Sequence, residues 1–201
     1  MAPAPTVKTL FNLERTSVLL ADGDAMGQGI ISQMLSGFGA RDVIKCATTT
    51  DTRKQISSQA CQLVIIDPAS LGDGGYDIIP WLRRKLVEPK KHVPVLIATG
   101  HTEHCRVTQL RDSGANFIVS KPLSAAVLLE RIVWLSRERR PYVETDSYVG
   151  PDRRWHEQPA PNGVGRRQRD REIQARIAAG GDMNQADIDM LMSSAEAGVI
   201  A

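Results

Sequence analysis

Short, nearly unbroken apolar runs recur along the first two thirds of the chain, separated by longer segments whose apolar residues fall three and four apart. The runs are SVLLA (Ser17–Ala21), DVIKC (Asp42–Cys46), LVIID (Leu63–Asp67), PVLIAT (Pro94–Thr99) and NFIVS (Asn116–Ser120). A strand with one wet face alternates apolar and polar residues, so near-continuous runs predict strands covered on both faces. GQGIISQMLSGFG, DTRKQISSQ, YDIIPWLRRKL and HCRVTQLRDSG lie between them, and LSAAVLLERIVWLSRE follows the fifth. Each presents one apolar stripe and predicts a helix. Five strands separated by helices predict the α/β class, with a doubly wound five-stranded parallel sheet.

Past Glu138 this pattern stops. RRPYVETDSYVGPDRRWHEQPAPNGVGRRQRD holds four prolines and three glycines and almost no aliphatic residues. It reads as a flexible tail with no core of its own. Helical spacing returns over Glu172–Ala178, is broken at Gly180–Gly181, and resumes over Gln185–Ala195, which places Ile188, Leu191, Met192 and Ala195 on one side. The expected organisation is a flexible N-terminus (1–15), a folded domain (16–138), an arginine-rich tail (139–171) and short C-terminal helices (172–201).

Composition narrows the class. With 201 residues, 42% of them hydrophobic and 24% charged, the chain has room for one ordinary domain and an extension. A net charge of +2 argues against a generally basic nucleic-acid coat. Cys46, Cys61 and Cys105 are scattered without CxxC spacing, which suggests a reducing compartment rather than disulfides or zinc. The N-terminal MAPAPTVKTLFNLERT lacks the apolar stretch of a signal peptide, and no apolar run is long enough to span a membrane. A cytoplasmic protein is expected.

In an open parallel sheet, working groups gather at the carboxyl ends of the strands. Those ends carry Asp22 and Asp24 after the first run, Asp67 after the third, Thr99 after the fourth and Lys121 after the fifth. Carboxylates collected there can hold a hard divalent cation, and one can accept a phosphoryl group. A hydroxyl and an ammonium can bind the oxygens of that group.

Asp22, Asp67, Thr99 and the lysine of SKP, Lys121, resemble the receiver domains of two-component response regulators, a flavodoxin/CheY-like fold, over roughly Ser17–Glu138. The resemblance implies Asp67 as phosphoacceptor, Asp22 and Asp67 as metal ligands for Mg²⁺, and Thr99 with Lys121 as the phosphoryl-sensing pair. It also implies a phosphorelay partner such as a histidine kinase, and a binding and signalling role rather than an enzymatic one. The chain departs from the pattern where ADGDA puts Gly23 in place of a second adjacent acid. Spacing leaves open whether Asp24 reaches the cation, and with one carboxylate missing Mg²⁺ binding should be weak or absent. Leu71 stands where a proline is usual, and Ile118 where a switch aromatic is usual.

Other candidates in this domain read as structural. Asp73–Gly75 suits a tight turn, and His92, His101 and His104 lack ligand spacing and read as solvated. Trp81 and Trp134 fall on helical stripes as core or partial surface, and Cys46 as a buried strand residue.

The tail changes its cation. Up to Lys121 the chain has seven lysines and seven arginines; after it come eleven arginines and no lysine. Guanidinium forks bidentately and stacks on π-faces, whereas a need for charge alone is met equally by lysine. Guanine accepts an arginine fork at O6 and N7, donates from N1 and N2 to a carboxylate, and stacks on aromatic or guanidinium planes. Tyr148, Asp152, Arg153, Arg154, Trp155, Arg166, Arg167, Arg169 and Asp170 supply those groups, and turns at Gly150–Pro151 and Asn162–Gly163 would fold the tail over a compact ligand.

An arginine-rich extension behind such a domain, with its GPDRR run, resembles the CheY-like cyclic di-GMP effectors of the Cle type. That resemblance implies cyclic di-GMP as ligand and a flagellar motor component as downstream partner. Two readings stand beside it: a solvated linker and a nucleic-acid binder. Tyr148 and Trp155 speak against the first, because disordered linkers tend to lack aromatics. The near balance of acids and arginines in the tail speaks against the second.

Overall fold

The computed structural model describes residues 12–138, 140–152 and 183–193. Five strands form one parallel sheet: β1 (Ser17–Ala21), β2 (Asp42–Cys46), β3 (Leu63–Ile66), β4 (Val95–Thr99) and β5 (Phe117–Ser120). Their order is β2-β1-β3-β4-β5. The connecting helices are α1 (Ala25–Gly37), α2 (Thr49–Ser58), α3 (Ile78–Lys85), α4 (His104–Asp112) and α5 (Ala125–Ser136).

The continuous apolar runs are explained by two cores, because successive strand residues point to opposite faces. Leu19, Ala21, Ile66, Ile97 and Ile118 pack with Ile56, Leu82 and Leu110 of α2, α3 and α4. Val18, Leu20, Ile65, Leu96 and Val119 pack on the other face with Leu35 of α1 and Leu128 and Ile132 of α5. Side-chain caps fix where helices begin: Asp24 accepts from the first turn of α1, Thr48 from Asp51, and Ser124 from Val127. Pro80 lies in the first turn of α3, where its missing N–H costs no helical hydrogen bond.

The tail differs from the expectation of a coil throughout 139–171. Tyr142–Glu144 (β6) and Val149–Pro151 (β7) form an antiparallel hairpin, closed by Thr145 N donating to Tyr148 O at 2.8 Å and Asp152 N to Pro141 O at 2.7 Å. Gly150–Pro151 is therefore strand rather than turn. Gly114, at φ +95°, and Gly150 make the docking possible: a Cβ on Gly114 would meet Val149 O at 2.2 Å, and one on Gly150 would meet Gly114 Cα at 2.8 Å. Two bare backbones touch where side chains would hold them apart. The last helix, α6 (Gln185–Ser193), packs on β5 and α4, and the predicted end at Ala195 lies outside the described residues. The predicted helix Glu172–Ala178, the N-terminal residues 1–11 and the tail residues 153–171 lie outside the described residues.

Candidate functional site

Strand order reverses between β1 and β3, which opens a crevice at their carboxyl ends. Asp22 follows β1 and is 1% exposed; Asp67 follows β3 and is 7% exposed. Lys121, just after β5, reaches both: its Nζ donates to Asp22 Oδ2 at 2.8 Å and to Asp67 Oδ2 at 2.7 Å. Thr99 at the end of β4 is fully buried, and its Oγ1 accepts from His101 N at 3.1 Å. The four residues marked in the sequence as acid, acceptor and sensing pair thus stand at neighbouring strand ends. Burial works to lower the Lys121 pKa, but hydrogen bonds to Asp22 and Asp67 and their charges outweigh it and hold the ammonium above its usual value.

Gly23 and Asp24 show why the second acid is missing. A Cβ on Gly23 would lie 2.0 Å from Ser70 O, so the loop after β3 occupies the space a side chain there would need. Gly23 N donates to Ser70 Oγ at 2.9 Å, and that hydroxyl reaches Asp22 Oδ1 at 2.8 Å. Asp24 is turned to the helix, accepting from Met26 N at 3.2 Å and Gly27 N at 3.0 Å. Among the described residues, no group of three or more His, Cys, Asp or Glu is placed to hold a metal ion. Two carboxylates remain, an ammonium sits between them, and the third acid caps a helix.

A second polar cluster lies at the opposite end of the sheet, and sequence reasoning missed it. Arg83 of α3 is 1% exposed. Its Nε donates to Gly114 O at 3.0 Å, Nη1 to Lys91 O at 2.7 Å and Val93 O at 2.9 Å, and Nη2 to Asn116 Oδ1 at 3.0 Å. Asn116 Oδ1 also accepts from Val95 N at 2.9 Å. Burial lowers the Arg83 pKa, against the opposing pull of Tyr142, Tyr148 and Glu138. The tail docks on this cluster. Tyr142 lies under the Arg83 guanidinium, 5.3 Å from ring centroid to Cζ, and its hydroxyl donates to His92 O at 3.0 Å. Burial pushes the Tyr142 phenol up. Arg140 pairs with Glu138, donates to Asn116 O at 2.9 Å and stacks over Trp134. His92, read as solvated, packs its ring 4.4 Å from that of Tyr142. A signal was present: Arg83 stands four residues after Ile79 and one after Leu82, on the apolar stripe of its helix.

The nine candidate nucleotide-binding residues fare unevenly. Tyr148 is folded into the hairpin, its hydroxyl donating to Pro151 O at 2.8 Å over Gly150. Asp152 closes the hairpin through its backbone. Arg153, Arg154, Trp155, Arg166, Arg167, Arg169 and Asp170 lie outside the described residues. Cys46 is buried as expected, Trp81 is half-covered beneath Arg53, and Trp134 is partly exposed.

A five-stranded α/β sheet with an acid pair and a lysine at its carboxyl edge defines the class as a receiver fold. Residues 18–133 match the response regulator receiver domain, and the chain belongs to that family. The chemotaxis protein CheY of Pseudomonas aeruginosa is 26% identical over 115 residues, covering 57% of this chain and 91% of that relative. Among solved structures, a signal receiver domain from Clostridium thermocellum superposes with a TM-score of 0.54 at 17% identity, covering 61% of this chain and 98% of that one. The chemotaxis protein CheY4 of Vibrio cholerae gives 0.54 at 19% identity, covering 60% and 98%. These structural likenesses show the fold. No helix among the described residues is long and apolar enough to cross a membrane.

Proposed function

We propose that this receiver-domain signalling protein is a cytoplasmic adaptor that reads cyclic di-GMP through its arginine-rich tail and passes the signal on by protein contact, with a flagellar motor component as partner. It works as a binding module rather than an enzyme. The observation that carries this reading is the placement of Asp152. The docked hairpin fixes that residue on the receiver, and Arg153, Arg154 and Trp155 follow at once. A ligand gathered by those side chains would therefore be held against a folded domain rather than on a free linker. Ordering any chain segment around a ligand costs free energy that the ligand must offset. Calorimetric titration with cyclic di-GMP tests it: micromolar binding by the wild type, abolished in Arg153→Ala/Arg154→Ala and retained in Asp67→Asn. No heat from the wild type at micromolar ligand sinks the reading.

A second reading is a phosphorylatable response regulator in a His–Asp relay. The contact of Lys121 with Asp67 favours it, since an ammonium there can neutralise an incoming phosphoryl oxygen. Acetyl-phosphate labelling that is present in the wild type and lost in Asp67→Asn supports this reading. Labelling absent from both removes it.

A further inference from the structure

β5 closes the sheet, and on its outer side no strand pairs with it among the described residues. An open edge presents unpaired backbone donors and acceptors. Here a side chain from α6 satisfies them. Gln185 Nε2 donates to Ile118 O at 3.0 Å, and Gln185 Oε1 accepts from Ser120 N at 2.7 Å and from Ser120 Oγ at 3.1 Å. A carboxamide that donates to residue i and accepts from residue i+2 of a strand does what one residue of a parallel neighbour would do.

The remaining contacts seat the helix. Met183, Ile188 and Met192 are buried in the same core group as Val107 and Leu110 of α4 and Ile118 of β5. On the α5 side, Arg131 stacks over Phe117 and pairs with Asp189, whose Oδ1 also accepts from Gln185 Nε2 at 2.7 Å. Asn184 and Asp187 cap the helix reciprocally: Asp187 N donates to Asn184 Oδ1 at 2.9 Å, and Asn184 N to Asp187 Oδ2 at 3.1 Å. A nine-residue helix is marginal in water, so α6 depends on this seat for its existence.

The grip falls on the two loops that carry the acid pocket's partners. Ser120, held by Gln185, immediately precedes Lys121, and Met183 N donates at 2.9 Å to the carbonyl of Thr102, three residues after Thr99. Lys121 N in turn donates to Thr99 O at 2.8 Å. A movement of Lys121 away from Asp67, or of Thr99 toward it, therefore shifts a backbone on which α6 sits.

We infer that α6 is a removable cover built into the chain: it seals the open edge of β5, and the state of the Asp67–Lys121 pair sets how firmly it is held. Covered, the β5 edge and the groove between α4 and α5 are closed to any other chain; uncovered, they are available. Coupling of this kind is reciprocal, so whatever holds α6 in place also stabilises the Lys121 pairing. The inference rests on the pocket and on α6 and stands apart from the nucleotide reading.

Hydrogen exchange of the full chain, read at single amides by NMR, tests it. In Gln185→Ala and separately in Ile188→Asp, the Ser120 amide should exchange about tenfold faster or more, while the Leu19 and Leu20 amides at the centre of the sheet keep their wild-type rates. The same Ser120 rate in the wild type and both variants overturns the cover. For the coupling, Asp67→Asn should speed Ser120 exchange roughly threefold or more in the wild-type background and leave it unchanged in the Gln185→Ala background. No change in the wild-type background, or an equal change in both, overturns the coupling.

Discussion

The two ends of the sheet each centre on one cation, and the two cations are used in opposite ways. At the carboxyl end, Lys121 shares its ammonium between two acids and keeps part of its side chain, 23%, in solvent. At the amino end, Arg83 is 1% exposed, and it donates to four neutral oxygens on two segments, Lys91–Val93 and Gly114–Asn116. A compact ammonium on a flexible stem can exchange partners, whereas a planar fork set among fixed carbonyls cannot move without orphaning them. The receiver thus has a labile end, where charge is balanced by an ion pair open to rearrangement. It also has a fixed end, where a guanidinium fastens the root of the tail.

The largest blow to that contrast comes from the fixed end. Arg83→Met leaves the carbonyls of Lys91, Val93 and Gly114 without their Arg83 donor and Tyr142 without the cation over its ring, so stability should fall by roughly 3–5 kcal/mol. Chemical denaturation measures this, and hairpin amides should lose protection first. A loss under about 1 kcal/mol would show that Arg83 does not anchor the hairpin.

Next comes Gly23→Asp at the labile end. An acid there would restore the usual pair in sequence, but its Cβ has no room beside Ser70 O. The expected result is a loss of about 1–3 kcal/mol and no gain in Mg²⁺ affinity by calorimetry. Tight Mg²⁺ binding by this variant would show that the Ser70 loop gives way.

The smallest effect is one of pH. The Lys121 pKa is raised above 10.5 in the fold, so the stability from its pairing is complete below about that pH and is lost as pH rises through the folded value. Thermal melting from neutral to alkaline pH should show a decline above that point that is absent in Lys121→Met. Parallel curves for the two proteins would mean that the pairing contributes nothing.

Much of this was legible in the sequence. Each of the five predicted strands forms within a residue of its expected bounds, because a strand covered on both faces has to be apolar at every position. Asp22, Asp67, Thr99 and Lys121 could be placed together because parallel strands deliver their ends to one edge. The hairpin could not be read. Tyr142–Glu144 and Val149–Pro151 are three residues each, too short for a period, and their stability comes from Gly114, Arg83 and Asn116, which are remote in sequence. Arg131 and Arg140, two of the eleven arginines after Lys121, use their planes and forks inside the protein, on Phe117 and Asp189 and on Trp134 and Glu138. Gly23 was read as a lost ligand, and the fold shows it also as a site of close loop packing.

The hairpin and α6 together have a topological effect. Asp152 and Met183 are both tied to the same domain, so the chain leaves it at one fixed point and returns at another, a circuit with both ends held. The entropy of bringing the circuit's ends together is already lost before any ligand arrives. A ligand that draws the circuit tight must pull against two moorings of unequal depth. The hairpin is moored to a buried guanidinium, α6 to three buried apolar side chains, one carboxamide and one ion pair.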